Sequence, residues 1–233
     1  MMRKLFLVII SLVIILFISW FMGWWIPNRP DYDKYPIRGI DVSHHNGEID
    51  WSKVKQSGVQ FAYIKATEGS DWEDIRFPNN WTESKKARIY RGAYHFFSTT
   101  SSGEAQALNY ISAVPKESGM LPPVIDLEFA RSRSRMNDEK FYAELAILKN
   151  ALKDHYGVEP VIYTTEEFRD NYFRDREVEH LWARQINSRV SKWAPNWTFW
   201  QYSNRGRVAG IQGRVDLNVY RKRIDDLKRL LVR

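Results

Sequence analysis

Four acidic residues carry the chemistry this sequence suggests. Asp126 and Glu128, in PPVIDLE, are spaced i, i+2 at the end of an apolar run that reads as a strand. On a strand that spacing sends both side chains to one side, with Cα atoms ~6.6 Å apart. Asp41 in RGID and Asp216 in GRVD mark the points where two other apolar runs turn acidic. If the runs are parallel strands of a barrel, their C-terminal ends share one face, and acids from distant parts of the sequence meet there. Neighbouring negative charges resist joint ionisation, so one of the four is expected to hold a proton near neutrality. A protonated carboxyl beside an ionised one is what cleavage of a glycosidic bond requires. The first donates to the leaving oxygen, and the second stabilises the positive sugar or its covalent successor. A lone D-x-E also arises by chance or in metal sites, so the convergence carries the reading rather than any single acid.

The elements that must position these acids follow from periodicity. From residue 38 onward, short β-rich runs alternate with helical patterns, as in βα units around a parallel sheet or barrel. Strands are expected over 38–43, 61–66, 90–96, 123–128, 160–164, 180–185, 198–202 and 215–219, and eight strands suggest closure. Ser101 and Glu104 read as a capping box opening a helix that runs to Ala113. Asp50 caps a short helix from Trp51, closed by Gly58. In the longest helix, Phe141, Leu145, Leu148 and Leu152 fall at helical spacing, and Gly157 is placed to end it. Helical patterns thin out after Tyr172, so loops are expected to join the last strands.

The chain has 233 residues and a formal net charge of +7. Its Lys and Arg residues are scattered, apart from the stretch RKRIDDLKR, which reads as a solvated helix face. Nucleic acid is therefore not the expected partner, although a mildly basic protein gains association rate toward an anionic wall polymer. The absence of cysteine excludes disulfides, Cys-ligated zinc and a thiol nucleophile. Arg3 and Lys4 precede an uncharged apolar stretch over 5–26 that ends in Trp24, Trp25 and Ile26. That stretch exceeds a cleavable signal core and shows no small-residue cut site. The expected organisation is an uncleaved membrane anchor over 1–27, a proline-bearing linker over 28–36 and a folded domain over 37–233. The basic start places the N-terminus in the cytoplasm and the domain outside the cell membrane.

Eight segments resemble, in order, the glycoside hydrolase family 25 lysozymes: GIDVSHHNGEIDW, FAYIKATEGSDWED, YRGAYHFF, PPVIDLE, VIYTT, LWARQ, FWQYS and VDLNVY. The match runs from Gly39 to Tyr220. The resemblance implies an α/β fold, an irregular TIM-like β/α barrel of eight strands with fewer helices in its C-terminal half. It also implies hydrolysis of the β-1,4 bond between N-acetylmuramic acid and N-acetylglucosamine, with retention. Carried over by position, the proton donor is Glu128 and the second carboxylate is Asp126, either as nucleophile or orienting the substrate's own acetamido group. Asp41 and Asp216 match the flanking acids. Tyr94, Tyr163, Trp182, Gln201 and Tyr202 match groove positions, where aromatic faces stack on sugars and polar tips bond to them. No cofactor is implied. Peptidoglycan strands and the membrane are the expected partners, and the protein is expected to act as a monomer.

Two other readings remain at this level. Asp41, His44 and His45 with the D-x-E pair could ligate a divalent ion, as in a metal-dependent polysaccharide deacetylase. Adjacent strand residues diverge, however, so the two histidines share a metal only if the chain turns there. A non-catalytic, membrane-tethered peptidoglycan-binding protein is the other. His95 reads as a satisfied core histidine, and Lys65 with Glu68 as an ion pair bracing a strand end.

Overall fold

The computed structural model describes residues 2–129, 137–172, 178–186, 188–190 and 193–233. Eight strands close a ring: β1 (Ile37–Val42), β2 (Phe61–Glu68), β4 (Tyr90–Phe96), β5 (Val124–Leu127), β6 (Val161–Thr165), β7 (Leu181–Arg184), β8 (Phe199–Gly206) and β9 (Val215–Tyr220). Their order is β1-β9-β8-β7-β6-β5-β4-β2, and pairing of β1 with β2 completes the barrel. A two-residue strand not foreseen, β3 (Trp72–Glu73), lies antiparallel on the end of β2.

Seven strands are parallel, but β9 runs antiparallel to both β8 and β1. This corrects the expectation of a uniformly parallel barrel. Only residues 207–214 separate β8 from β9, and a parallel return needs a crossover of a dozen or more residues. The reversal matters for the site. Asp216 stands near the start of β9, and only an antiparallel course brings that end level with the C-terminal ends of the others.

Period-two alternation sorts the barrel's side chains. Phe61, Tyr63, Val124, Val161, Tyr163, Trp182, Phe199 and Tyr220 form one buried interior cluster. Tyr63 stacks on Trp182 at 4.9 Å between centroids, and Phe199 lies 5.3 Å from Phe61. So many rings fit because Gly39 faces them: a Cβ there would stand 2.3 Å from the Phe61 ring.

The helices cover the outside. They are α2 (Trp51–Gln56), α3 (Phe77–Lys86), α4 (Gly103–Ala113), α5 (Asp138–Tyr156), α6 (Glu166–Tyr172) and, after the last strand, α7 (Ile224–Arg229). Phe141, Leu145, Leu148 and Leu152 are buried along α5, each contributing about 1.5–3 kcal/mol of apolar burial, and Gly157 ends the helix. The cap of α4 is Ser102, whose side chain accepts from the Ala105 amide, so the expected box from Ser101 to Glu104 is displaced by one residue. Ser101 instead offers its carbonyl to Gln106.

The chain opens with α1 (Met2–Phe21), long and apolar enough to cross a bilayer, with none of its residues buried against protein. Residues 28–36, expected as a linker, lie along the barrel wall. Asn28 donates to the carbonyls of Gln185 and Tyr202 at 2.8 and 3.2 Å, Tyr32 shares a 2.7 Å bond with the Tyr202 hydroxyl, and Tyr35 packs edge-on to Trp197.

Candidate active site

The barrel mouth holds a polar pocket of about 240 Å³ lined by Asp41, Tyr94, Asp126, Glu128, Tyr163, Trp182, Arg184, Gln201, Asn204 and Asp216. All four expected acids line it. Asp126, on β5, and Glu128, one residue past its end, arrive together because the extended chain alternates. Asp41 and Asp216 arrive as direct cross-strand neighbours on β1 and β9. A second hollow, of about 210 Å³, meets the first at Glu128 and is faced by Phe96, Phe129 and Phe168. Glu128 therefore sits at a seam between two spaces, one polar and one in which aromatic rings share the lining with Glu68, Ser98, Thr99 and Thr100.

A chain of buried hydrogen bonds fixes the Asp41 carboxylate. Gln201 donates to it at 3.0 Å and Asn218 at 2.7 Å. Gln201 in turn accepts from the Tyr163 hydroxyl at 3.0 Å, and Asn218 accepts from the Trp182 indole at 2.8 Å. Asp216 also hydrogen-bonds Asp41. A carboxyl can donate only when protonated, and the contact works to raise Asp216 and to lower Asp41. Burial raises Asp41, while bonds from Asn218, Gln201 and Asp216 work against that rise. Burial and then the charge of Asp41 push Asp216 well above the usual carboxylate range.

The other pair follows the same logic. Asp126 is 7% exposed; burial, then the charge of Glu128, lifts it well above the usual range. Its Oδ1 is buried with no hydrogen-bond partner among the described residues. Glu128 is also raised, first by burial, with Arg184 opposing and Asp41 adding to the rise. Sequence reasoning expected one raised acid of four; all four are raised, because the barrel floor beneath them is a packed aromatic layer that excludes water. The site thus gathers four carboxyls that each hold a proton to higher pH than they would in water.

This arrangement is a four-acid site at the mouth of a barrel, and residues 40–211 match the model of glycosyl hydrolases family 25. The chain belongs to glycosyl hydrolase family 25. It is a glycoside hydrolase of the lysozyme and muramidase class. It is similar to lysozyme M1 of Streptomyces globisporus, 37% identical over 211 residues that cover 81% of this chain and 69% of that protein. Among solved structures, a family 25 glycosyl hydrolase from Bacillus anthracis superposes with a TM-score of 0.81 at 38% identity, covering 87% of this chain and 96% of that one. The lysozyme of Streptomyces coelicolor gives 0.75 at 35%, covering 83% and 96%.

Within this family 25 barrel, four of the five expected groove residues line the pocket: Tyr94, Tyr163, Trp182 and Gln201. Tyr202 does not. It is buried on the outer face of β8 beside Trp200, with its hydroxyl on Tyr32. Gln201 and Tyr202 are adjacent on a strand, so only one can face the lumen. Arg184, Asn218 and Asn204 were not anticipated. The first two were legible, since each stands two residues from an inward position, Trp182 and Asp216. Asn204 follows a register shift in β8, where alternation gives no guide.

The histidines serve the frame. The chain turns at His44–Asn46, and His44 bonds the Asp74 carboxylate through its amide at 2.8 Å and its Nδ1 at 2.9 Å. His95 is fully buried, held by Thr67 at 2.7 Å and Gln106 at 3.0 Å, and burial lowers its pKa to about 4. Lys65 forms the expected ion pair with Glu68 at 2.6 Å, its ammonium also lying over the rings of Trp72 and Phe96.

Proposed function

We propose that this enzyme cuts the β-1,4 bond on the reducing side of N-acetylmuramic acid in peptidoglycan, with retention, Glu128 acting as proton donor and then as base. The observation that carries this reading is the place of Glu128 at the seam of the two hollows. A donor to the scissile oxygen must stand between the sugar being attacked and the one leaving. Asp126, Asp41 and Asp216 face only the first hollow, where positive charge develops on the sugar.

The Asp126–Glu128 pair shares protons, and the reaction needs them on Glu128. An acetamido N–H in the first hollow meets the vacant Oδ1 of Asp126. That bond favours the charged form of Asp126 and leaves the proton with Glu128, where donation is productive. Asp126 then holds the acetamido group for attack on the anomeric carbon, or attacks it directly. Asp41, ionised and fixed by Gln201 and Asn218, supplies a standing negative charge, and Asp216 holds its own proton. Tyr94, Tyr163 and Trp182 shape the sugar's bed.

We read α1 as an uncleaved anchor, with the N-terminus cytoplasmic and the barrel working outside the membrane on wall glycan. The reading supposes one chain per active site. The test is product analysis by NMR during digestion of purified peptidoglycan with the full chain. New reducing ends should be N-acetylmuramic acid, appearing first as the β-anomer. Reducing N-acetylglucosamine would refute the bond assigned, and first-formed α-anomer would refute retention.

A further inference from the structure

The end of α1 is built into the barrel. Among its last carbonyls, those of Phe21 and Met22 accept from Arg214 and the Arg207 Nε, both at 2.8 Å. Helix C-termini leave such carbonyls without partners and carry partial negative charge, so two guanidinium groups satisfy both needs. Arg205 lies 3.9 Å from the Trp20 ring centroid and Arg214 4.6 Å from that of Phe21. Gly23, at φ +74°, lies so close to the Arg205 carbonyl that a Cβ would fall 1.7 Å from its oxygen. Only glycine permits this approach.

All three arginines belong to the segment 203–214, the end of β8 and its connection to β9, which contains no acid. Arg207 and Arg214 are exposed, as are Trp24 and Trp25 just beyond the helix. The preceding residue, Asn204, lines the active-site pocket. The chain therefore leaves its apolar helix at the rim of the barrel mouth. Below that point, residues 28–36 are strapped down the wall to reach β1 at the opposite end, which leaves only residues 24–27 as a short pivot between helix and barrel.

We propose that the β8–β9 hairpin is a membrane-facing platform whose arginines bind acidic phospholipid head groups, holding the active-site mouth at the bilayer surface. This rests on reading α1 as a membrane span, and it deepens the proposed activity: the preferred substrate is glycan lying at the membrane, such as strands still joined to a lipid carrier. Guanidinium groups bond phosphate oxygens in pairs, and indole rings beside them suit the head-group layer. Distant, already assembled wall lies out of reach of a barrel clamped to its anchor.

The chain has no cysteine, so single labels report cleanly. Full-length protein carrying Gln212→Cys or Lys86→Cys is labelled with a fluorophore and reconstituted into nanodiscs of phosphatidylglycerol and phosphatidylcholine, with a quencher on the lipid head groups. Gln212 lies on the hairpin and Lys86 leads into the opposite end of the barrel. The expected result is loss of emission at Gln212 but not at Lys86. Arg207→Glu with Arg214→Glu should restore the Gln212 signal, and so should pure phosphatidylcholine. Equal quenching at both positions, or at neither, overturns the platform, and does so without reference to catalysis. In a second arm, wild-type protein should cleave lipid-linked glycan in its own bilayer faster than the same glycan free in solution. The double arginine variant should lose that preference while keeping its rate on free glycan. Cleavage of both forms at one rate, with the quenching pattern intact, overturns the substrate preference alone. Recovery of the Gln212 signal in phosphatidylglycerol discs when soluble anionic glycan is added would assign the arginines to glycan and overturn the phospholipid assignment.

Discussion

Arg184 sets the charge balance of the pocket at the scale of single residues. Its guanidinium opposes the rise of Glu128, Asp216 and Asp41 together. Removing it takes away that opposition, so Glu128 keeps its proton to higher pH. Arg184→Gln is accordingly expected to move the basic limb of the kcat/KM profile to higher pH, measured against wild type on soluble glycan. An unchanged or acid-shifted limb would show that Arg184 does not act on the proposed donor, Glu128. The acids themselves were legible in the sequence, because an apolar run that turns acidic at its mouth end is an unusual pattern. Their proton distribution was not, since it depends on a floor of rings and on amide donors from strands far away in the chain.

At the scale of elements, the direction of β9 decides whether Asp216 joins the site. A strand's hydrophobic alternation has no sense of direction, so the eight runs could be found while the one reversal could not. The length of the β8–β9 connection was the missed clue. Tyr202 is the opposite case: its strand was correctly expected, and alternation alone would have turned it outward once Gln201 was placed inward. The packing of the interior gives a further prediction. Gly39→Ala drives a methyl into the Phe61 ring and should cost about 1–3 kcal/mol of stability by chemical denaturation. Adding Phe61→Leu should recover part of that loss. Additive losses in the double variant would show that the two side chains do not meet.

For the molecule as a whole, the buried acid cluster carries a stability cost near neutral pH. Asp126 is raised in the folded state, so folding binds its proton more tightly than the unfolded chain does. Its contribution is complete below the unfolded value, about 3.9, and declines as pH rises through the folded value. Asp126→Asn removes the decline. The variant should melt higher than wild type at pH 7, each 1 kcal/mol of relief being worth roughly 2–4 °C in a domain of this size. The difference should vanish near pH 4. A variant less stable than wild type at pH 7 would mean that the carboxyl is held charged by partners the pocket does not show.

The account turns on Glu128 giving its proton to the leaving oxygen. Single-turnover cleavage of a defined peptidoglycan oligosaccharide by wild type and by Glu128→Gln, with binding measured in parallel, tests it most directly. The expected result is a loss of roughly two to four orders of magnitude in the chemical step, with affinity retained. Turnover by Glu128→Gln at the wild-type rate would contradict it.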